Sequence, residues 1–387
     1  MARHVWLKLR YAEQRGKIRM APVAKASSGL KPMRYRKLRR TLWRFLSMPI
    51  YMKYVAGSLL AAAALSGAAT ATAVAQKPFH IEQTWKIGGD GGWDYLSVDA
   101  NSHRLYVAHS TKVDAIDLRT GKLVGQVTGL MGTHGVVISP DGKTGYISDG
   151  RANAVVTFDP ATLQATGKIA TGKNPDGMVY EPATNSVWAF NGGSNDVTVI
   201  DTQSKTVKAT IKLPGRPEFP ATSHGSVFVN IEDKNSIVML NAKDLRISET
   251  YPLKECKSPS GLAMDEAGGR LFSVCDGKKM VVTSAKDGKQ LGAPTIGEGP
   301  DAAGYDTKHN LAFASNGEGT LSIVDASKPG YPVIQTLTTQ KGARTMAFDE
   351  TTGKVYLAAA EYGKPEAVGK RPPVLPGSFK VLVVGRE

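Results

Sequence analysis

The chain has 387 residues, 41% of them hydrophobic, and two cysteines, enough apolar mass for one large domain or two ordinary ones. Its formal net charge of +15 would point to nucleic acid or a membrane surface, but residues 1–51 alone carry 14 Lys/Arg against a single acid, Glu13. From residue 76 onward 34 Lys/Arg face 33 Asp/Glu, which excludes a uniformly basic protein; the whole-chain charge says little about its partners.

In chain order, residues 1–51 form a basic extension. It reads as an over-extended start, because Met52 alone would open an ordinary signal peptide. A long n-region and a twin-arginine signal at "RRTLW" (39–43) are the alternatives. Residues 52–75 carry the marks of a secretory signal peptide: Lys53, the apolar run Val55 to Leu65, and the small-x-small site Ala73-Val74-Ala75 before Gln76. The run is too short to span a bilayer comfortably, so the expected product is periplasmic or secreted, without a membrane span. Export makes Cys256 and Cys275 a candidate disulfide, with two free buried thiols as the alternative. Neither belongs to a C-x-x-C-H motif, so covalent c-type haem is excluded.

The run "HIEQTWKI" (80–87) precedes a phrase that then recurs. "LYVAHSTKVDAIDLRTGKLVGQV" returns as "GYISDGRANAVVTFDPATLQATGKI", "VWAFNGGSNDVTVIDTQSKTVKATI" and three further units. Each holds three β-runs divided by polar turns, with a further short run ahead of it, as in "PDGMVYEP". Four strands per unit is the pattern of a propeller blade. Aligned on the start of the first strand, the equivalent residues are Asp94, His134, Asp176, Glu218, Ser260, Asp301 and Arg344, spaced 40 to 43 apart. A second register, at the end of the second strand, gives His109, Asp149, Asn191, Asn230, Cys275, Ser315 and Ala359. It lies 15 residues on in five of seven units, 12 in the fourth and 14 in the sixth. The expected fold is therefore all-β, a seven-bladed β-propeller over residues 76–387. The last unit lacks a fourth strand after "SFKVLVVG", so residues 80–87 are predicted to supply it and close the ring.

The stretches "LYVAH…VDAIDLRTGK" and "NDVTVIDTQSKTVKATI" resemble the YVTN-repeat (YncE-like) β-propellers of exported bacterial proteins, over about residues 79–387. The resemblance implies the propeller and leaves function open, because such propellers host binding, enzymatic and scaffolding roles. Ser284 stands where the repeat usually has Asp, and the fourth unit has a shortened first-strand pair.

In a propeller both registers surround one mouth of the central channel. Asp94, His134, Asp176, Glu218, Asp301 and Arg344 are expected as an inner ring, and His109, Asp149, Asn191 and Asn230 as an outer one. Four carboxylates aimed at one funnel repel one another unless a cation, Arg344 or water intervenes. A hydrated polar channel and a binding site both satisfy that requirement. The cofactor stays open: Asp94, Asp176, Glu218 and Asp301 suit a divalent cation such as calcium, whereas His109, His134 and a carboxylate together suit zinc or another transition metal. His103, His224 and His309 fall in turns on the opposite face. Trp93 and Phe219 flank ring residues as candidate walls, and residues 361–377 interrupt the last unit as a Pro-, Gly- and Lys-rich loop on the funnel face.

The leading reading is an exported monomeric binding module that takes a small molecule, metal or protein at the funnel. A metal-dependent hydrolase of the lactonase or esterase type is the alternative, with Asp94, Asp176, Asn191, Glu218 and Asp301 as ligands and His134 or His109 as proton carrier. No nucleophile elbow, H-E-x-x-H or phosphate loop is present. Nucleic acid is a third partner class, resting on a patch of Lys278, Lys279, Lys364, Lys370 and Arg371, and a near-neutral body predicts weak, salt-sensitive binding.

Overall fold

Seven four-stranded antiparallel sheets follow one another in the computed structural model, each a meander running from an inner strand outward. The structure describes residues 77–365 and 372–387. The basic extension, the expected signal peptide and two members of the expected basic patch, Lys370 and Arg371, lie outside the described residues. Residues 75–387 form one unit. The inner strands are Trp93–Asp99, Thr133–Ile138, Pro175–Glu181, Pro217–Ser223, Lys257–Asp265, Pro300–Asp306 and Met346–Asp349.

The seventh sheet closes as the repeat count demands. Its order from the inside is Met346–Asp349, Lys354–Ala359, Lys380–Gly385 and then His80–Lys86, the strand from the other end of the chain. His80 pairs with Gly385 and Lys86 with Lys380, so the first and last of the described strands pair antiparallel. Phe79 adds a second lock. Its backbone exchanges two hydrogen bonds with the Gln335 side chain on blade six, and its ring meets Phe313 edge-on at 5.3 Å.

The core lies between neighbouring sheets. Trp188 and Phe190 of blade three, for example, pack on Val227 and Val229 of blade four, all with no exposed surface. The alternating strand pattern produces this, since each blade is covered on both faces and its middle strands read as nearly continuous apolar runs. Between the middle and outer strands the recurring Asp is a turn former. Asp117 Oδ1 accepts the backbone N–H groups of Arg119 and Thr120, and Asp159 and Asp201 repeat the bond pattern.

The inner strands carry the feature that builds the mouth. In blades one to six the pairing with the second strand slips just after the strand begins, as between Trp93 and Leu96 and between Pro175 and Met178. A bulge there re-aims the residue beside it. Four of these strands place proline directly before the ring residue: Pro175, Pro217, Pro259 and Pro300. A missing N–H is tolerated at such a strand start. Gly177 and Gly261 follow two ring residues, and a Cβ on either would lie 2.6 Å from the inner strand of the next blade. Glycine there lets adjacent blades approach closely around the axis.

Candidate functional site at the channel mouth

The structure brings the first-register residues together and withdraws most of the second. Asp94, His134 and Asp176, from blades one, two and three, converge. His134 Nδ1 donates to Asp94 Oδ2 at 2.7 Å and lies 3.6 Å from Asp176 Oδ1. On the other side of the ring, Arg344 Nη1 donates to Asp301 Oδ2 at 2.6 Å. Glu218 faces Arg216 Nε at 3.7 Å, and the same guanidinium bridges to Glu232. Each acid thus has a cationic neighbour from within the chain, which offsets part of the repulsion expected among the four.

That arrangement sets the protonation states. Burial disfavours the His134 cation, but the hydrogen bond to Asp94 and the charges of Asp176 and Asp94 outweigh it and raise the imidazole to about 9. Burial pushes Asp176 up to about 6, with the His134 charge opposing and the Asp94 charge adding. Burial and the Asp176 charge push Glu218 up to about 8 despite Arg216. Tyr95, next to Asp94, is held well above the usual phenol value by burial and by the surrounding carboxylates of Asp176, Asp94, Glu218 and Asp301. Its ring meets Phe219 of blade four at 4.9 Å, forming an aromatic crossing of the channel.

The four outer-ring residues are buried braces. His109 has no exposed surface; its Nδ1 bonds Asp114 Oδ2 at 2.7 Å, its ring lies 4.4 Å from that of Phe379, and a Cβ on Gly89 would sit 3.1 Å from its Cε1. The glycine-rich run 88–92 therefore lies over it. Asp149 accepts the N–H groups of Met131 and Gly132, and Asn191 donates to Asp196 and Thr198. Asn230 is also out of register: Ile231, not Asn230, pairs with Pro217, and Asn316, not Ser315, pairs with Pro300. The Asn230 amide donates to the carbonyls of Ser260 and Gly261 on blade five. Ser148 and Ser315 make the same kind of tie to the carbonyls of Asp176 and Arg344, so this position staples one blade to the next ring residue.

For a metal, the expected quartet of Asp94, Asp176, Glu218 and Asp301 does not form one cluster. Glu218 and Asp301 are each drawn to an arginine, and the atoms that gather within 4.8 Å of one another belong to Asp94, His134 and Asp176. An imidazole nitrogen with two carboxylates fits zinc or a similar ion better than calcium, and such an ion would have to displace the His134 proton.

Above the Asp301–Arg344 side of the ring lies a cavity of ≈ 1040 Å³, bordered by Trp93, Ser260, Asp276, Lys341 and Tyr362 among others. The described parts of the last unit's loop, residues 361–365 and 372–377, reach the funnel face. Tyr362 pairs with Val374, Gly363 N–H bonds Pro373 O, and both legs of this arm border the cavity. Trp93 packs against Tyr362 and Phe379 at 6.4 and 5.4 Å. A second cavity of ≈ 350 Å³ lies along the inner strands beneath Tyr95 and Phe219. Cys256 and Cys275 form the disulfide, linking the approach to blade five's inner strand with the end of its second strand. Of the basic patch, Lys278 is paired with Glu298 at 3.2 Å and the Lys279 ammonium donates to Ala293 O at 3.2 Å. His103, His224 and His309 lie at the opposite turns, where His309 bonds Asp306 rather than water alone.

Arg216, Tyr95 and Tyr362 were missed from the sequence as site residues. The first two adjoin ring positions, and Tyr362 follows the last second strand, so the repeat register marks all three.

The fold and mouth define a seven-bladed β-propeller with a polar funnel. Residues 99–223 match the family model described as SMP-30/Gluconolactonase/LRE-like region. The protein YncE of Salmonella typhimurium is 21% identical over 236 residues, covering 56% of this chain and 66% of that protein. YncE of Escherichia coli O157:H7 is 24% identical over 154 residues, 36% of this chain and 43% of that one. The matches thus span just under two thirds of one relative and less than half of the other. Among solved structures, hydrazine synthase of Kuenenia stuttgartiensis superposes with a TM-score of 0.63 at 16% identity, over 72% of this chain and 95% of that one. The structure of U3-55K gives 0.66 at 9% identity, over 79% and 98%. These two share the fold alone. The YncE matches, the family-model match and the seven blades together support a YncE-like β-propeller family.

Proposed function

We propose that the protein is an exported propeller that binds a small polar ligand at the funnel face. The observation that carries this reading is the ≈ 1040 Å³ cavity, with a charged floor at Asp301 and Arg344 and an aromatic wall at Trp93 and Tyr362. Concave sites that mix apolar walls with a few convergent polar groups are where small molecules bind. Export is supported by the signal features of residues 52–75 and by the disulfide, which suits an oxidising compartment. No helix among the described residues is long and apolar enough to cross a membrane.

Thermal unfolding of the protein against a library of polar metabolites tests the reading. Compounds that stabilise the wild type should lose that effect in Trp93→Ala and in Arg344→Met. Stabilisation that survives in both variants would place the binding site elsewhere.

The Asp94–His134–Asp176 group, with the family-model match, favours a second reading, a metal-dependent hydrolase. A cation held there would polarise the carbonyl of a lactone or ester. His109 and Asn191 have no part in it, since both are fully buried among other partners. Elemental analysis of the mature protein, purified without added metal or chelator, decides this. A stoichiometric metal lost in Asp94→Ala would favour the hydrolase; none in the wild type would remove it.

A further inference from the structure

We propose that the ligand of the funnel cavity is a neutral saccharide, stacked on Trp93 and Tyr362 and held at its hydroxyls by side chains of both charges. This rests on the reading of the funnel as the binding face, and it adds the ligand's chemical class.

The cavity border is the starting point. Among the described residues of the border, Glu232, Asp276 and Asp301 face Lys341 and Arg344, three anions against two cations. A polyanion such as a nucleic acid strand needs a clear positive excess, and the described residues of the border carry none. An apolar ligand would strip water from all five charges and return nothing for them. What satisfies both signs is a ligand whose groups each donate and accept. A hydroxyl does so, and neighbouring hydroxyls on one ring do so repeatedly.

The pairing within the site points the same way. Asp301 and Arg344 are already bonded at 2.6 Å, so neither offers a bare charge to an ion. Arg344 offers its other N–H groups in the fixed plane of the guanidinium. The Ser260 hydroxyl donates to Pro300 O at 3.1 Å and keeps its oxygen as an acceptor. Asp276 and Lys341 are exposed, and among the described residues neither makes an ion pair. A carboxylate and an ammonium on one cavity border suit a polyol, whose hydroxyls can donate to one and accept from the other.

The wall supplies the rest. The Trp93 and Tyr362 rings lie 6.4 Å apart at 45°, forming an angled aromatic surface. The C–H face of a sugar ring is apolar, and an aromatic side chain buries a large area at small entropic cost. At ≈ 1040 Å³ the cavity has room for more than one sugar ring.

Calorimetric titration of the whole protein with neutral disaccharides of gluco, galacto, manno and N-acetylated configuration tests this. A zwitterionic dipeptide and an oligothymidylate serve as the competing classes. At least one disaccharide should saturate below about 10 mM, with little dependence on salt. Tyr362→Ala and Asp276→Asn, at unchanged unfolding midpoints, should each weaken it roughly tenfold. No saturation by any disaccharide at about 10 mM, or binding untouched by both variants, overturns the proposal. If the dipeptide binds instead and Tyr362→Ala abolishes it, the saccharide fails while the funnel stands. If no polar compound is lost on funnel substitution, both fail.

Discussion

Replacing Glu218 by glutamine should stabilise the protein, and increasingly so as the pH rises. The folded-state carboxyl is raised from 4.5 to about 8 by burial and the Asp176 charge, so the native state resists its ionisation while the unfolded chain does not. The sign follows from linkage. A raised acid costs nothing below its unfolded value, costs more as the pH climbs between the two values, and levels off above the folded one. For one carboxyl moved this far, the cost is about 1 kcal/mol at pH 5, about 3 kcal/mol at pH 7 and about 5 kcal/mol at pH 9. The side chain is 19% exposed, so solvent screens it little. Glutamine keeps the shape and the contact with Arg216 without the titration. Urea denaturation of wild type and Glu218→Gln at these three pH values would show the gap widening. A gap as large at pH 5 as at pH 9 would instead mean a lost packing or hydrogen-bond contribution, which does not titrate, and not ionisation of Glu218.

Other perturbations should separate the ring from its braces. His134 has the opposite sign: raised from 6.5 to about 9, it contributes stability below 6.5 that is lost as the pH rises through 9, so His134→Gln should be costly at pH 6 and nearly neutral at pH 10 in the same assay. His109→Ala should cost about 3 kcal/mol in urea denaturation, because it strands the buried Asp114 carboxylate with Gln126 as its remaining side-chain partner. Reducing the Cys256–Cys275 bond, which closes a loop of separation 19, should cost about 3 kcal/mol, read as a lower unfolding midpoint with dithiothreitol. Deleting residues 77–87 removes the closing strand and should replace one cooperative transition with a broad one in calorimetry, since blade seven then has an open edge.

How far the sequence could be read depends on what the repeat encodes. Spacing of 40 to 43 residues, and a final unit short by one strand, were enough for seven blades and the closure by His80–Lys86. The ring was legible for the same reason, because the position just after a strand start is fixed by topology. Depth was not. His109 and Asn191 sit where the channel rim would be, but loops from their own and adjoining blades fold over them, and a period along one strand carries no information about such cover. Asn230 slipped because blade four's first turn is shorter: Ser223 and Ser226 pair directly, and a one-residue error there turns a side chain to the other face. The pairing of Asp301 with Arg344 rather than with a shared cation depends on rotamers that no alignment of repeats specifies.

If the funnel face is the binding face, ligand should protect the backbone around the channel mouth. Hydrogen exchange, with and without the compound that best stabilises the protein, tests it most directly. Exchange should slow in segments 88–93, 257–261, 299–301, 341–344 and 361–363, which border the mouth. Slowing confined to the opposite turns around His103, Asn185, His224 and Asn310 would contradict it.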